Sequence, residues 1–210
     1  MDAKETARKT LALLKKQYPG ASTALKYSNV FELLVATILS ARCTDKRVNL
    51  ITKSLFKKYR RIYDYASADI SEFEQDIRST GFYKDKAKNI IAAAWMITSD
   101  FNGKVPDTME DLMKLPGVGR KTANIVLTHG FGRIEGIAVD THVQRLSKRL
   151  GLTKETDPVK IESDLMRLLP GKDWGIVSDL LILHGRNVCM AKNPNCRACV
   201  LNSFCPSSLL

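Results

Sequence analysis

The chain has 210 residues, with 33 Lys plus Arg against 22 Asp plus Glu, so its formal net charge is +11. Hydrophobic residues make up 44% and charged residues 26%, a globular balance that sustains a core and excludes a disordered chain. The basic excess points to an anionic partner, nucleic acid first.

Met1–Thr10 reads MDAKETARKT, which lacks the apolar run of a secretory signal. No apolar stretch is long enough to cross a membrane. An intracellular, reducing compartment follows, and there clustered cysteines suggest metal before disulfide. The charge is uneven: residues 1–60 carry +9, 61–140 carry −2 and 141–210 carry +4. A neutral middle lobe between basic flanks fits that pattern.

Helical periodicity runs almost throughout. Phe31, Leu34, Val35, Ile38 and Leu39 recur on one helical face, and Asn29 with Glu32 predicts a capping box at the start. A helical stretch around Ile90–Ile97 stops at Asn102-Gly103, read as a helix end and not a hairpin turn. Asp107 with Glu110 repeats the cap pattern after Pro106. Val143, Leu146 and Leu150 mark a helix ended by Gly151. Asp157-Pro158 starts another, with Ile161, Leu165, Leu168 and Leu169 on its buried face. The fold class is all-α, about ten short helices with a loop-rich cysteine tail.

Residues 115–121 read Leu-Pro-Gly-Val-Gly-Arg-Lys between two helical patterns. Gly117 and Gly119 permit a tight hairpin and close approach of backbone N–H groups to an anion. With +11 on the chain, Leu115, Gly117, Val118, Gly119 and Arg120 form a candidate phosphate-binding hairpin. Lys121 falls in the first turn of the second helix. The positive helix end and Arg120 both disfavour its protonated form, which makes it a candidate amine nucleophile; a plain phosphate contact is the alternative. Asp140 precedes a helix as an N-cap, a place that keeps a carboxylate ionised.

Cys189, Cys196, Cys199 and Cys205 lie within 17 residues, spaced C-x6-C-x2-C-x5-C. Zinc and a [4Fe–4S] cluster both accept four thiolates. The single C-x2-C pair and the asymmetric loops favour the larger cluster, with zinc as the alternative. Lys192 lies inside this loop and is a candidate phosphate contact. Cys43 stands apart and reads as an ordinary small residue.

LPGVGRKTANIV, then IAVDTHV, then the four-cysteine pattern, together with FELLVATILSARCTD, GFYKDKAKNI and LILHGRNVC, strongly resemble the endonuclease III family of DNA glycosylases. The resemblance covers essentially the whole chain. It implies two helical lobes: a six-helix barrel over residues 24–134 carrying the helix-hairpin-helix, and an iron–sulfur domain joining residues 1–23 to 135–210. It implies that Lys121 and Asp140 face each other across a cleft. The expected partner is double-stranded DNA with a damaged base or an abasic site, and the expected state is a monomer.

The implied reaction is removal of oxidised or ring-damaged pyrimidines through a Schiff base on Lys121, then β-elimination 3′ to the lesion. Relatives that release adenine or mismatched thymine carry a different residue in place of Lys121. Phe82 falls where the family places an apolar wedge in the base stack. Arg42 stands where the family usually has Gln, a departure that alters the contacts to the orphaned base. Asp45 is a candidate contact to the flipped pyrimidine. A monofunctional mismatch glycosylase and a non-enzymatic iron–sulfur DNA-binding module are the competing readings.

Overall fold

The structure is a computed structural model that describes residues 2–210. Among these residues every regular element is helical. The elements are α1 (Ala3–Gln17), α2 (Val30–Leu39), α3 (Asp45–Lys58), α4 (Ile62–Ala66), α5 (Ile70–Ile77), α6 (Tyr83–Asp100), α7 (Met109–Lys114), α8 (Arg120–Val126), α9 (Thr141–Arg149), α10 (Pro158–Leu168) and α11 (Trp174–Asn187). Short tight turns fill several junctions, and α8 runs on into a wider π-helical turn over Leu127–Phe131.

The chain divides into two compact units. One is continuous, Ala24–Arg133; the other joins the N-terminal segment up to Thr23 with Ile134–Leu210. The first holds seven helical segments, α2 to α8, of which α4 is a single five-residue turn. Its core is built on α2, whose residues Leu33, Leu34, Ala36 and Leu39 are fully buried. A cluster of rings lies beside it, with Phe31 and Tyr65 centroids 4.9 Å apart and Tyr59 and Phe73 centroids 5.2 Å apart in edge-to-face contact. The second unit packs α9 on α11 and α1 on both α10 and α11, around Leu14, Val143, Leu146, Ile161, Leu165 and Leu180.

The caps explain where helices begin. Asn29 accepts from the Glu32 N–H at 2.9 Å, while the Glu32 carboxylate reaches past it to the Ser28 N–H at 2.6 Å. Asp157 accepts from two N–H groups of α10, with Pro158 at the first helical position. The Asn102-Gly103 pair does end α6: both residues take positive φ, and the Gly103 N–H returns to the Ile97 carbonyl at 2.9 Å.

Two expectations change. The start of α7 shifts by one residue, because Thr108 and not Asp107 is the N-cap, accepting from the Asp111 N–H at 3.2 Å. Asp107 instead pairs with Arg133 at 2.8 Å. The neutral middle lobe also disappears. The Ala24–Arg133 unit carries 18 basic and 12 acidic residues and the other unit 15 and 10, so both are basic. The lysines and arginines between Lys26 and Arg60 belong to the continuous unit. No helix among the described residues is long and apolar enough to cross a membrane.

Candidate active site and metal-binding loop

The hairpin sits between α7 and α8. The Leu115 N–H closes the end of α7 on Leu112, and the Val118 N–H returns to the Leu115 carbonyl at 3.1 Å. Leu115 and Val118 are buried, 2% and 7% exposed, so their side chains anchor the turn in the core and only their backbone is available to a ligand.

The two glycines differ. Gly117 has φ +77, and a Cβ there would lie 2.8 Å from the Asn89 Cβ of α6. Glycine is therefore required by the fold on two counts. Gly119, the N-cap of α8, has an ordinary φ of −97, and a Cβ there would meet nothing within 4 Å. Nothing in the protein itself demands a glycine at that place. Lys121 follows in the first turn of α8 with its side chain exposed.

Two further residues of the same unit meet beyond the ends of α2 and α5. Arg42 has φ 54 and Phe82 has φ 49, the left-handed region that non-glycine residues seldom occupy. The Arg42 guanidinium lies 5.0 Å from the centroid of the Phe82 ring. Phe82 is 59% exposed, so it is not a core phenylalanine. Asp45 is the first residue of α3, half-buried.

Lys86 was not singled out from the sequence. It is 4% exposed, and its ammonium donates to the carbonyls of Leu39 at 2.8 Å and Thr80 at 2.9 Å. Burial pushes its pKa below the usual lysine range.

Asp140 lies in the other unit. It caps α9 with a single oxygen, since Oδ1 accepts from both the His142 and Val143 N–H groups at 2.8 Å. Oδ2 takes no part in the cap.

The four cysteines of the tail line one small open cavity with Val188, Asn202 and Arg149. Burial first, then the neighbouring sulfurs, push the Cys199 and Cys205 thiols up. Arg149 braces this loop, donating to the Cys189 Sγ at 3.2 Å and to the carbonyls of Met190 and Ala191 at 2.8 and 3.0 Å. Arg145 donates to the carbonyls of Gly185 and Cys189. His184 is buried, with Nε2 3.3 Å from the Cys199 Sγ and Nδ1 3.3 Å from the Tyr18 hydroxyl. Burial pushes its pKa down to about 4. Lys192 is exposed on the loop.

Among the described residues, no three His, Cys, Asp or Glu side chains converge to hold one metal ion.

Residues 35–171 match the family described as HhH-GPD superfamily base excision DNA repair protein. The chain is 54% identical to endonuclease III of a Synechocystis species over 98% of this chain and 94% of the relative. It is 50% identical to endonuclease III of Bacillus subtilis over 90% and 86%. A trapped endonuclease III–DNA covalent intermediate superposes with a TM-score of 0.94 at 45% identity, covering 99% of this chain and 97% of that one. A thermostable thymine-DNA glycosylase shares the fold, with a TM-score of 0.87 at 21% identity over 97% and 96%. With the hairpin, the capped aspartate and the four-cysteine loop in place over nearly its whole length, this chain belongs to the endonuclease III family of the HhH-GPD superfamily of base excision DNA repair proteins.

Proposed function

We propose that this protein is a bifunctional DNA glycosylase and abasic-site lyase acting on oxidised or ring-damaged pyrimidines in duplex DNA. The observation that carries this reading is Lys121, an exposed primary amine in the first turn of α8, two residues after a glycine whose open side the fold leaves unfilled. A phosphate held against Gly119 by backbone N–H groups accounts for that glycine and brings a deoxyribose to the amine.

The damaged nucleotide must leave the stack, because its C1′ is unreachable inside a duplex. Arg42 and Phe82 supply a flat, exposed pair suited to entering the vacated stack. The neutral Lys121 amine attacks C1′. The C1′–N bond to the enzyme forms as the glycosidic bond breaks, and the base leaves as its anion, which is neutralised by the proton the amine gives up. Asp140 Oδ2 stabilises the developing positive charge on the sugar and takes the proton from the amine. The sugar ring opens to an iminium, which acidifies C2′–H. Loss of that proton expels the 3′ phosphate, and water then releases Lys121.

Cys189, Cys196, Cys199 and Cys205 would hold a [4Fe–4S] cluster. The four sulfurs share one cavity, and the single C-x2-C pair among asymmetric loops supports the cluster over zinc. When bound, it supplies covalent Fe–thiolate links that fix the loop carrying Lys192. Equal amounts of iron and acid-labile sulfide are expected in the purified protein; stoichiometric zinc overturns that assignment.

The decisive test is borohydride trapping on a duplex containing an abasic site. Wild type forms a covalent adduct and Lys121→Gln forms none. An adduct that survives the substitution removes Lys121 from the mechanism. Release of an oxidised pyrimidine without strand cleavage shows a monofunctional enzyme.

A further inference from the structure

Lys86 is one turn into α6, and its surroundings are unusual for a lysine. Its ammonium is buried between two backbone carbonyls, Leu39 O and Thr80 O, and the titratable group acting on it is the Cys43 thiol, not a carboxylate. Leu39 is the last residue of α2, where a helix leaves carbonyls without intrahelical donors. Thr80 ends the tight turn Arg78–Thr80. Arg42 stands three residues beyond Leu39, and Phe82 two residues beyond Thr80. The Lys86 backbone N–H also donates to the Phe82 carbonyl at 3.2 Å.

One residue therefore touches the root of both segments that present the stacked pair. A methionine would fill the same space without the cost of burying an ammonium. What only the lysine does is tie two otherwise separate carbonyls to one point. The strained φ of Arg42 and of Phe82 needs surroundings that over-determine it, and this clamp supplies them.

We infer that Lys86 is a positioning residue for the reaction: its ammonium locks the end of α2 to the end of the Arg78–Thr80 turn and so holds Arg42 and Phe82 together for entry into the base stack. The inference rests on the reading above that this pair enters the stack, and it assigns the control of that geometry to a residue that meets no DNA.

The test uses the full-length, metal-loaded protein and a duplex with an abasic site facing 2-aminopurine. Fluorescence of that base reports opening of the stack, and borohydride trapping reports the chemistry. Lys86→Met is expected to keep its helical signal and iron content, to lose the fluorescence rise, and to trap at least about tenfold more slowly. Lys86→Arg, which keeps donors, recovers most of both.

In the double variant Lys86→Met with Phe82→Ala, trapping is slower than in Phe82→Ala alone by no more than about twofold, because the two act through one contact. A wild-type fluorescence rise in Lys86→Met overturns the inference. So does a double variant slowed by the product of the two single effects. If Lys86→Met loses its helical signal, Lys86→Gln decides on the same readouts. A wild type that forms no adduct defeats the proposed function; a trapping wild type matched by Lys86→Met defeats only the role of Lys86.

Discussion

The Arg42 guanidinium stands 5.0 Å from the centre of the Phe82 ring, and each residue has a backbone conformation that L-residues seldom adopt. An exposed cation–π contact contributes only about 0.5–1 kcal/mol, too little to explain two strained residues by stability alone.

Arg42→Gln and Phe82→Leu are each expected to change unfolding free energy by less than about 1 kcal/mol. Their effects on DNA separate by charge. Arg42→Gln lowers the slope of log affinity against log salt by about one for a duplex with an abasic-site analogue, because it removes one cation from the DNA interface. Phe82→Leu leaves the slope unchanged. Anisotropy titrations across a salt series read both, and equal slopes for all three proteins place the guanidinium outside the DNA interface.

The hairpin glycines give opposite outcomes. Gly117→Ala forces a Cβ to within 2.8 Å of Asn89 at φ +77, and should cost roughly 1–3 kcal/mol of stability. Gly119→Ala meets no atom within 4 Å and should melt like wild type. Its affinity for duplex DNA should nevertheless fall several-fold, because the methyl occupies the space a phosphate needs. Thermal melts beside binding isotherms check this. A Gly119→Ala protein that binds normally leaves that glycine without a function.

Asp140 separates capping from chemistry within one side chain. The cap uses Oδ1 alone, and Asn provides the same acceptor. Asp140→Asn should retain stability, whereas Asp140→Ala should lose about 1 kcal/mol. Both should lower the single-turnover rate of base removal by about a hundredfold or more, since neither offers a carboxylate. Full activity in Asp140→Asn confines the residue to capping.

Alkaline pH probes the aromatic cluster of the continuous unit. Burial first, then the 2.9 Å bond to Asp76, push Tyr59 from about 10 up to about 12. Between those values the unfolded chain has lost a proton that the folded chain keeps. The stabilisation is thus complete below pH 10 and lost as pH rises toward 12. Tyr65 is raised as well, chiefly by burial, so Tyr59→Phe should flatten the decline of melting temperature over this range without abolishing it. Parallel curves for the two proteins show that Tyr59 ionises alike in both states.

Much of this was legible from residue order. Apolar periodicity marks α2, α9 and α10, and the caps at Asn29, Asp140 and Asp157 lie at the predicted positions. Thr108 was missed because Asp107-x-x-Glu110 and Thr108-x-x-Asp111 are equally good cap patterns; the pairing of Asp107 with Arg133, 26 residues away, separates them. Lys86 was invisible for a related reason. It stands between Lys84 and Lys88 and reads as part of a solvated stripe, and only the distant carbonyl of Leu39 shows it to be interior. The middle of the chain is not a neutral lobe, because the lysines and arginines between Lys26 and Arg60 fold together with it in the Ala24–Arg133 unit.

The unit formed from both chain ends imposes an order on biosynthesis. The partners of α1, namely α10 and α11, follow it only after the whole Ala24–Arg133 unit has been made. At ordinary translation speeds that interval is on the order of ten seconds. The apolar face of α1, with Ala7 and Leu14, spends it uncovered, while the continuous unit has every residue it needs to close. The four cysteines leave the ribosome after all eleven helices. Whatever group the four sulfurs hold can therefore arrive only after those helices are made, when the hairpin between α7 and α8 is already built.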